Sequence, residues 1–404
     1  MTSAWESKLS SKARNVRPSP IREILDVVRQ PGMISFAGGM PAPEIFPVDE
    51  FFEGDAFLKA QGREIMQYGT TEGDPGLREF LAKWQEPRLG RIVKKNEILL
   101  TTGSQQVLDL LGWAMIDKGD VVIVEDPTYL SALSVFSNHG AEYRTVPMDA
   151  DGMVVSKLPE IIESLQGAGK PPKFIYTIVN FQNPAGATLS LDRRKELAAI
   201  SEKYGVPIVE DDPYGYVRYD GEHLPAIFSF DKAGNTLYAG SFSKILSPGT
   251  RIGWACGNEK IVRQLAIFKQ FVDLCSSSIT QALVYEYCKN GHLDAHLPKI
   301  VDNYRIKRDA MQTSMERHLS PLGVTWVKPE GGFFFWPDFG GVDVNVLARK
   351  ALEKKVAFIP AEPFCVDKST AKRNGRLNFT YSSPEVIEDG VSRLAEAIRE
   401  MRAG

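Results

Sequence analysis

Through the middle of the chain, short apolar runs alternate with longer segments of helical period. "NEILLTTG", "DVVIVEDP", "KFIYTIVN", "PIVEDDPYG", "TLYAGSFS" and "RIGWAC" read as strands. "SQQVLDLLGWAMI", "TYLSALSVFSNHG" and "LDRRKELAAISEKYG" read as helices, the last ending at Gly205. Runs that are apolar throughout, rather than at every second position, belong to strands covered on both faces. Their alternation with helices predicts an α/β fold with a mostly parallel central sheet and helices on both faces.

After about residue 258 the pattern changes. Long helical stretches run from "EKIVRQLAIFKQFVDL" to "MERHL". A smaller α+β unit follows, with strands expected in "VTWVKPEGGFFFWPDF", "VAFIPAEPF" and "RLNFTYSS" and a last helix in "PEVIEDGVSRLAEAIREM". The expected division is a large unit over 46–300, a small C-terminal unit over 301–404, and an N-terminal segment, 1–45, that packs with the small unit.

Composition narrows the function. The 404 residues are 43% hydrophobic and carry a net charge of -3, with acids and bases intermixed. That balance argues against a nucleic-acid-binding face or a polybasic membrane patch. No apolar run reaches the ~18 residues a bilayer span requires, and the polar start "MTSAWESKLSSKARN" lacks a secretory core. Cys256, Cys275, Cys288 and Cys365 are scattered without a C-x-x-C pair, which fits free thiols in a cytoplasmic protein. His292 and His296 stand four apart, but Leu293 occupies the place where a zinc-protease motif needs Glu, so no metal is expected.

The unusual polar residues fall at strand ends, where ligands bind in open α/β sheets. In "TTGSQQ" a strand ends at Gly103, and Ser104 and Gln105 open a helix whose free N–H groups suit an anion. Ser104 equally suits a plain N-cap. In "VEDDPYG", Asp211 closes an apolar strand where a carboxylate could hold a protonated ring nitrogen or cap a turn, and Tyr214 adds a phenol to the same rim. In "NFQNPAG", Pro184 drives Asn183 toward an extended backbone, as a ligand donor or an ordinary turn residue. In "SFSKILSPGTR", Lys244 lies between Ser241, Ser243 and Arg251. A lysine that burial and nearby cations keep partly neutral is a nucleophile, and Arg251 could clamp a phosphate. A carbonyl-binding lysine, an acid for a ring nitrogen and a set of phosphate donors together answer the needs of pyridoxal phosphate.

Taken in order, these segments resemble the fold-type I pyridoxal-phosphate aminotransferases of class I and II, and most of all the branch of 2-aminoadipate, kynurenine and aromatic aminotransferases. The resemblance runs through "RPSPIREI", "ISFAGGMPAPEIFP", "QYGTTEGDPGLREFLA", "TTGSQQVLDL", "EDPTY", "NFQNPAGATLS", "VEDDPYG", "SFSKILSPGTRIGW", "KPEGGFFFW" and "RLNFTYSSP", nearly the whole chain. It departs at Ala185, where the family often has Thr. The resemblance implies that Lys244 is the Schiff-base lysine and proton shuttle and that Asp211 pairs with the pyridine nitrogen. It implies that Tyr214 and Asn183 meet the ring's phenolic oxygen and that Tyr129 stacks on the ring. Ser104, Gln105, Ser241 and Arg251, assisted by Ser243, are implied as phosphate ligands. Tyr68 is implied to reach the phosphate from the neighbouring subunit, hence a homodimer. Arg376 is implied to bind the substrate α-carboxylate, with Asn183 beside it, and Gly39 to approach the substrate by its backbone. Arg22 stands in a segment resembling a lid, where it either meets a distal carboxylate or is a solvated arginine.

The activity so implied is ping-pong transamination from an L-amino acid to a 2-oxo acid, expected to be 2-oxoglutarate. A β-lyase or decarboxylase on the same fold is the alternative, since fold alone does not fix function. A ligand-sensing domain of a transcription regulator shares the fold but joins it to a basic DNA-binding domain, whose electrostatic footprint the net charge of -3 does not offer.

Overall fold

The computed structural model describes residues 4–16, 30–53, 55–60 and 62–403. In chain order its strands are β1 (Ile34–Ser35), β2 (Ile98–Thr102), β3 (Val121–Asp126), β4 (Glu142–Asp149), β5 (Gly152–Met153), β6 (Phe174–Ile178), β7 (Ile208–Asp211), β8 (Thr236–Ser241), β9 (Ile252–Cys256), β10 (Phe334–Phe335), β11 (Val356–Ala357), β12 (Ile359–Pro360) and β13 (Gly375–Asn378).

Eight of these build one sheet in the order β2-β9-β8-β7-β6-β3-β4-β5. The run β8-β7-β6-β3-β4 is parallel. β9 runs antiparallel to both β2 and β8, and β5 antiparallel to β4. Every residue of β6, β7, β8 and β9 is buried, which is why their sequences are apolar on both faces. The β4–β5 pair was not anticipated. β4, next to the edge strand β5, alternates exposed and half-buried positions with only Val146 fully buried, and it carries Glu142, Arg144 and Pro147, so it lacks the apolar run that marks an inner strand.

Helices Ser104–Met115, Leu130–His139, Leu191–Tyr204 and Glu259–Val272 cover the sheet. The helix Leu191–Tyr204 ends on Gly205 in a left-handed conformation at φ 66°, as its position after the last periodic residue predicts. From β3 the chain moves outward to β4, then returns to β6 and advances the other way through β7 and β8. The sheet therefore reverses its winding between β3 and β6, and a crevice opens at the carboxyl ends of those strands.

The second unit holds the antiparallel sheet β10-β13-β12, helix Val344–Glu353 and helix Pro384–Ala403. β1 pairs in parallel with β11, so residues 34 and 35 form a sheet with residues 356 and 357. The helix His292–His318 runs unbroken through residue 300, so the two units share it. Of the strand expected in "VTWVKPEGGFFFWPDF", only β10 and isolated bridges at Thr325, Gly331 and Asp338 form. Pro329 cannot donate to a ladder, and Gly331 is packed so tightly on Phe181 that a Cβ there would stand 2.3 Å from its ring.

Candidate active site

A cavity of about 380 Å³ occupies the crevice at the winding reversal. It is lined by Gly39, Ser104, Gln105, Tyr129, Asn183, Asp211, Tyr214, Ser241, Ser243, Lys244, Arg251 and Arg376. Of the residues singled out from the sequence, Tyr68 is not among its walls and stands 78% exposed on the surface. Arg22 lies outside the described residues.

β7 and β8 deliver the two reactive groups. Asp211 is the last residue of β7, and its carboxylate is buried. Oδ2 accepts from the Tyr176 hydroxyl at 2.7 Å, whereas Oδ1 is buried without a partner. Burial lifts this carboxyl to about 7; the Tyr176 bond opposes the rise and neighbouring Asp212 adds to it. Asp212 has a different life. Arg88 reaches its Oδ2 at 2.9 Å, Tyr238 donates to the same oxygen at 3.0 Å, and Asn180 donates to Oδ1 at 2.8 Å. One acid of the "EDD" run is thus tied into the framework, and the other presents a bare oxygen to the cavity.

Lys244 closes the short 3-10 turn Phe242–Lys244 that follows β8, a turn capped by Ser241, whose Oγ accepts from Ser243 N at 3.1 Å. Its Nζ donates to the carbonyl of Gly39 at 2.9 Å and lies 5.2 Å from the centre of the Phe333 ring. Among the described residues no carboxylate pairs with it. Burial, then Arg376 and Arg251, bring the amine down to about 8. A fraction is therefore unprotonated near neutrality, as a nucleophilic amine requires.

The anion end is built by β2 and β9. Gly103, at φ 74°, precedes the helix Ser104–Met115, whose first two residues line the cavity and whose first N–H groups have no partner within the helix. Ser104 is thus the first helical residue rather than its cap. Arg251, left-handed at φ 53°, lays its guanidinium against Gly103; a Cβ at position 103 would stand 2.4 Å from Nη2. A side chain at position 103 would push the cation out, and one at Gly253, on β9, would push the turn itself, since its Cβ would meet Ser104 N at 2.4 Å.

Arg376, on β13, enters from the second unit. It is 1% exposed, donates to Asn183 Oδ1 at 2.9 Å and Ala37 O at 2.6 Å, and lies between the rings of Phe334 and Phe364 at 4.3 and 5.0 Å. Its Nε is buried and unpartnered, and among the described residues no carboxylate pairs with it. Burial lowers it to about 10, with Tyr214 and Tyr129 opposing. Tyr214 is buried against Phe333 and Phe334, and burial pushes its phenol well up, with a hydrogen bond to Asn183 pulling the other way. Tyr129 is half-buried and reaches Gln105 Oε1 at 3.5 Å.

The cavity therefore gathers three cations, Lys244, Arg251 and Arg376, against the single carboxylate of Asp211. Such a wall suits a ligand that carries more than one negative charge and a protonated nitrogen for Asp211 Oδ1. Pyridoxal phosphate bound to an amino acid has those groups, so the residues present fit it. Sequence reasoning missed Tyr176, because a tyrosine inside an apolar run reads as an ordinary strand residue. Period two puts it on the face of Ile178, a cavity residue, and that was the available signal. Away from the cavity, His296 is buried and His292 lies 3.4 Å from Glu53.

Comparison with known proteins bears on this geometry. Residues 51–394 match the model of the family described as aminotransferase class I and II. The chain is 44% identical over 398 residues to the aromatic-amino-acid aminotransferase 1 of Thermococcus litoralis, covering 98% of this chain and 95% of the relative. It superposes on Pyrococcus horikoshii kynurenine aminotransferase, solved with PMP, kynurenine and its product, at a TM-score of 0.94 and 41% identity, covering 98% of each chain. It also superposes on the α-aminoadipate aminotransferase of Thermus thermophilus, complexed with N-(5'-phosphopyridoxyl)-L-leucine, at 0.90 and 35% identity over 99% of each chain. The mostly parallel sheet with its smaller companion is the fold these enzymes share, and this chain belongs to the aminotransferase class I and II family.

Proposed function

We propose that the protein is a pyridoxal-phosphate-dependent aminotransferase acting on L-amino acids with aromatic, long aliphatic or 2-aminoadipate side chains, with 2-oxoglutarate as the expected acceptor. The observation that carries this reading is the pairing of an amine at about 8, Lys244, with the unpartnered Oδ1 of Asp211 inside one cation-rich cavity. The names of the similar enzymes support the substrate classes: aromatic amino acids, kynurenine and α-aminoadipate.

When bound, pyridoxal phosphate supplies a reactive carbonyl carbon and a ring that accepts electrons. The chain's own residues do the rest. Ser104, Gln105, Ser241, Ser243 and Arg251 hold the phosphate, through N–H groups, hydroxyls and a guanidinium. Tyr129 would lie against the ring, and Asn183 and Tyr214 would donate to its phenolic oxygen. Asp211 would hold a proton on the ring nitrogen through Oδ1, while Tyr176 fixes the carboxylate through Oδ2. Arg376 receives the substrate carboxylate, and Gly39 lets the backbone come close. Lys244 Nζ, the buried amine held at about 8, would serve as the base that takes a proton from the substrate Cα and, once protonated, as the acid that returns it. One site then serves two substrates in turn, which is ping-pong kinetics.

Tyr68 belongs to this reading as a phosphate ligand offered to the partner in a homodimer, and Arg22 as a lid residue for acidic side chains. A cytoplasmic setting fits four scattered cysteines without a C-x-x-C pair; no described helix is long and apolar enough to cross a membrane. The test is a panel of amino donors with 2-oxoglutarate or pyruvate, followed at the visible cofactor band. Oxo-acid formation that depends stoichiometrically on the second oxo acid is expected. Product formation without an acceptor would mean a lyase or decarboxylase instead. If Arg22→Ala leaves the ratio of acidic to aromatic substrates unchanged, the lid role fails.

A further inference from the structure

Behind the turn that joins β2 to the helix Ser104–Met115 lies a polar network, open to solvent at Asp273, that the chemistry above does not use. Its centre is Lys269, on the helix Glu259–Val272, which is 0% exposed. The ammonium donates to Gln106 Oε1 at 2.8 Å, to Asp273 Oδ1 and Oδ2 at 2.7 and 2.9 Å, and to Ser276 Oγ at 3.0 Å. Asp273 Oδ2 accepts in addition from Thr102 Oγ1 at 2.9 Å and from Gln106 Nε2 at 2.8 Å. Gln106 Oε1 also accepts from Thr102 N at 2.8 Å.

The placement of these bonds is selective. Thr102 and Gln106 are the two residues that bracket Gly103, Ser104 and Gln105, the stretch that faces the cavity's anion end. Both ends of the Gln106 amide are engaged, so its orientation is fixed, and both the N–H and the hydroxyl of Thr102 are engaged. The carbonyl of Thr102 in turn lies 3.5 Å from Arg251 Nη2. A buried ammonium is costly to desolvate unless it is paired and fully hydrogen-bonded. Here it is paired, and the pair is neutral as a whole, so it adds little attraction for an anion at a distance. What it adds is position: donors held in place before a ligand arrives bind it without reorganisation.

We propose that Lys269 and Asp273 are positioning residues for the cofactor's phosphate end, locking the turn Gly103–Gln105 and, through Thr102, the seat of Arg251. This rests on the cofactor reading above. It separates from a general structural role because a brace on the phosphate end must act on phosphate and not on the carbonyl that Lys244 captures.

The full chain, stripped of cofactor, is titrated with pyridoxal phosphate and with pyridoxal, and the dissociation constants are compared. In Lys269→Met the constant for pyridoxal phosphate is expected to rise about tenfold or more, ~1.4 kcal/mol, while that for pyridoxal stays within about twofold. Asp273→Asn, which keeps the lysine and the helix, is expected to show the same selective loss, and it carries the test if Lys269→Met fails to fold. Arg78→Met is the control: it removes another buried cation, bonded to Ile98 O and Lys95 O at the opposite end of β2, and is expected to leave the ratio of the two constants as in wild type. An unchanged ratio in Asp273→Asn, or an equal loss for both ligands, overturns the proposal. Wild-type protein that binds neither ligand overturns the cofactor reading itself.

Discussion

Tyr176 and Asp211 sit on neighbouring parallel strands, and the phenol of one donates to the carboxylate of the other at 2.7 Å. The bond takes Oδ2 and leaves Oδ1 bare and buried on the cavity wall, where it is proposed to meet a ring nitrogen. Tyr176→Phe keeps the ring and removes the donor. A lost bond to a buried carboxylate is worth ~1–3 kcal/mol, so the dissociation constant for pyridoxal phosphate should rise by about tenfold and turnover should fall with it. Equal affinity in Tyr176→Phe and wild type, measured by titrating cofactor-free protein, would show that Asp211 needs no such support.

The titration of Asp211 gives a second test, with a definite sign. Its folded value of about 7 lies above its ordinary 3.8. The folded state therefore binds that proton more tightly than the unfolded chain does. The stability this gives is complete below pH 3.8 and is lost as pH rises through about 7. Asp211→Asn removes the group. In the cofactor-free state, the variant should gain on wild type as pH is raised from about 4 to 7, and the difference should level off above that. Glu210 is also raised to about 7 by burial, but it is present in both proteins and cancels; Glu125 is raised likewise, in small part by Asp211 itself, and loses that part in the variant, which adds to the expected gain. Urea unfolding at a series of pH values reads the difference; a flat difference sinks the assignment of a raised value to Asp211. The same variant should lose most turnover, because a neutral amide cannot balance a protonated ring.

Lys244 is depressed rather than raised, to about 8. The reactive, neutral amine should therefore appear as pH rises through about 8. Borohydride trapping of pyridoxal on the cofactor-free protein should give a covalent adduct whose rate climbs across that range and then levels. Peptide mass analysis should find it on Lys244, and Lys244→Ala should give none there and almost no turnover. A rate that keeps rising toward the ordinary lysine value of 10.5 would mean that burial and the two arginines do not tune the amine.

These tests concern residues that were legible to different degrees. The inner strands announce themselves because a strand covered on both faces is mostly apolar, as "FIYTI" is apart from Thr177 and "IVED" is until its last two residues. A polar residue closing such a run, like Asp211, is conspicuous for the same reason. The choice between Asp211 and Asp212 is not written in the run. It depends on Arg88, Asn180 and Tyr238, which come from three other segments and meet Asp212 only in the folded chain. Lys269 was hidden likewise, since in an amphipathic helix sequence a lysine reads as solvated. Its burial follows from Asp273 one turn on and from Gln106, far away in sequence.

Arg376 carries the prediction about substrate. Its fork is held by Asn183 and Ala37, its faces are covered by Phe334 and Phe364, and no described carboxylate neutralises it. Arg376→Lys keeps a charge but loses the fork. Truncating one partner of a buried charged pair costs ~2–5 kcal/mol, so kcat/KM for every amino donor should fall by about a hundredfold or more. The visible absorbance of bound cofactor should survive, because Arg376 is assigned to the substrate. Loss of cofactor together with activity would move Arg376 from substrate binding to cofactor binding.

Tyr68 poses the last question, since within one chain it is 78% exposed and does not line the cavity. It shares the surface with other large apolar side chains left open, Met66 at 75% and Phe271 at 82%. If a second copy covers this face and takes the Tyr68 hydroxyl into its phosphate end, two defective variants should repair each other. Tyr68→Ala spoils the partner's site and Lys244→Ala spoils its own. In a hybrid dimer, the Lys244→Ala subunit still offers Tyr68 to the site that retains Lys244, so one of the two sites is whole. Random pairing of equal amounts makes half of the dimers hybrids, so at limiting cofactor the mixture should recover roughly one quarter of wild-type turnover, well above either variant alone. Sedimentation should find twice the chain mass of 44.9 kDa. A dimer whose mixed variants only average their separate activities would place Tyr68 outside the partner's site, and a monomer with full activity would remove the shared site altogether.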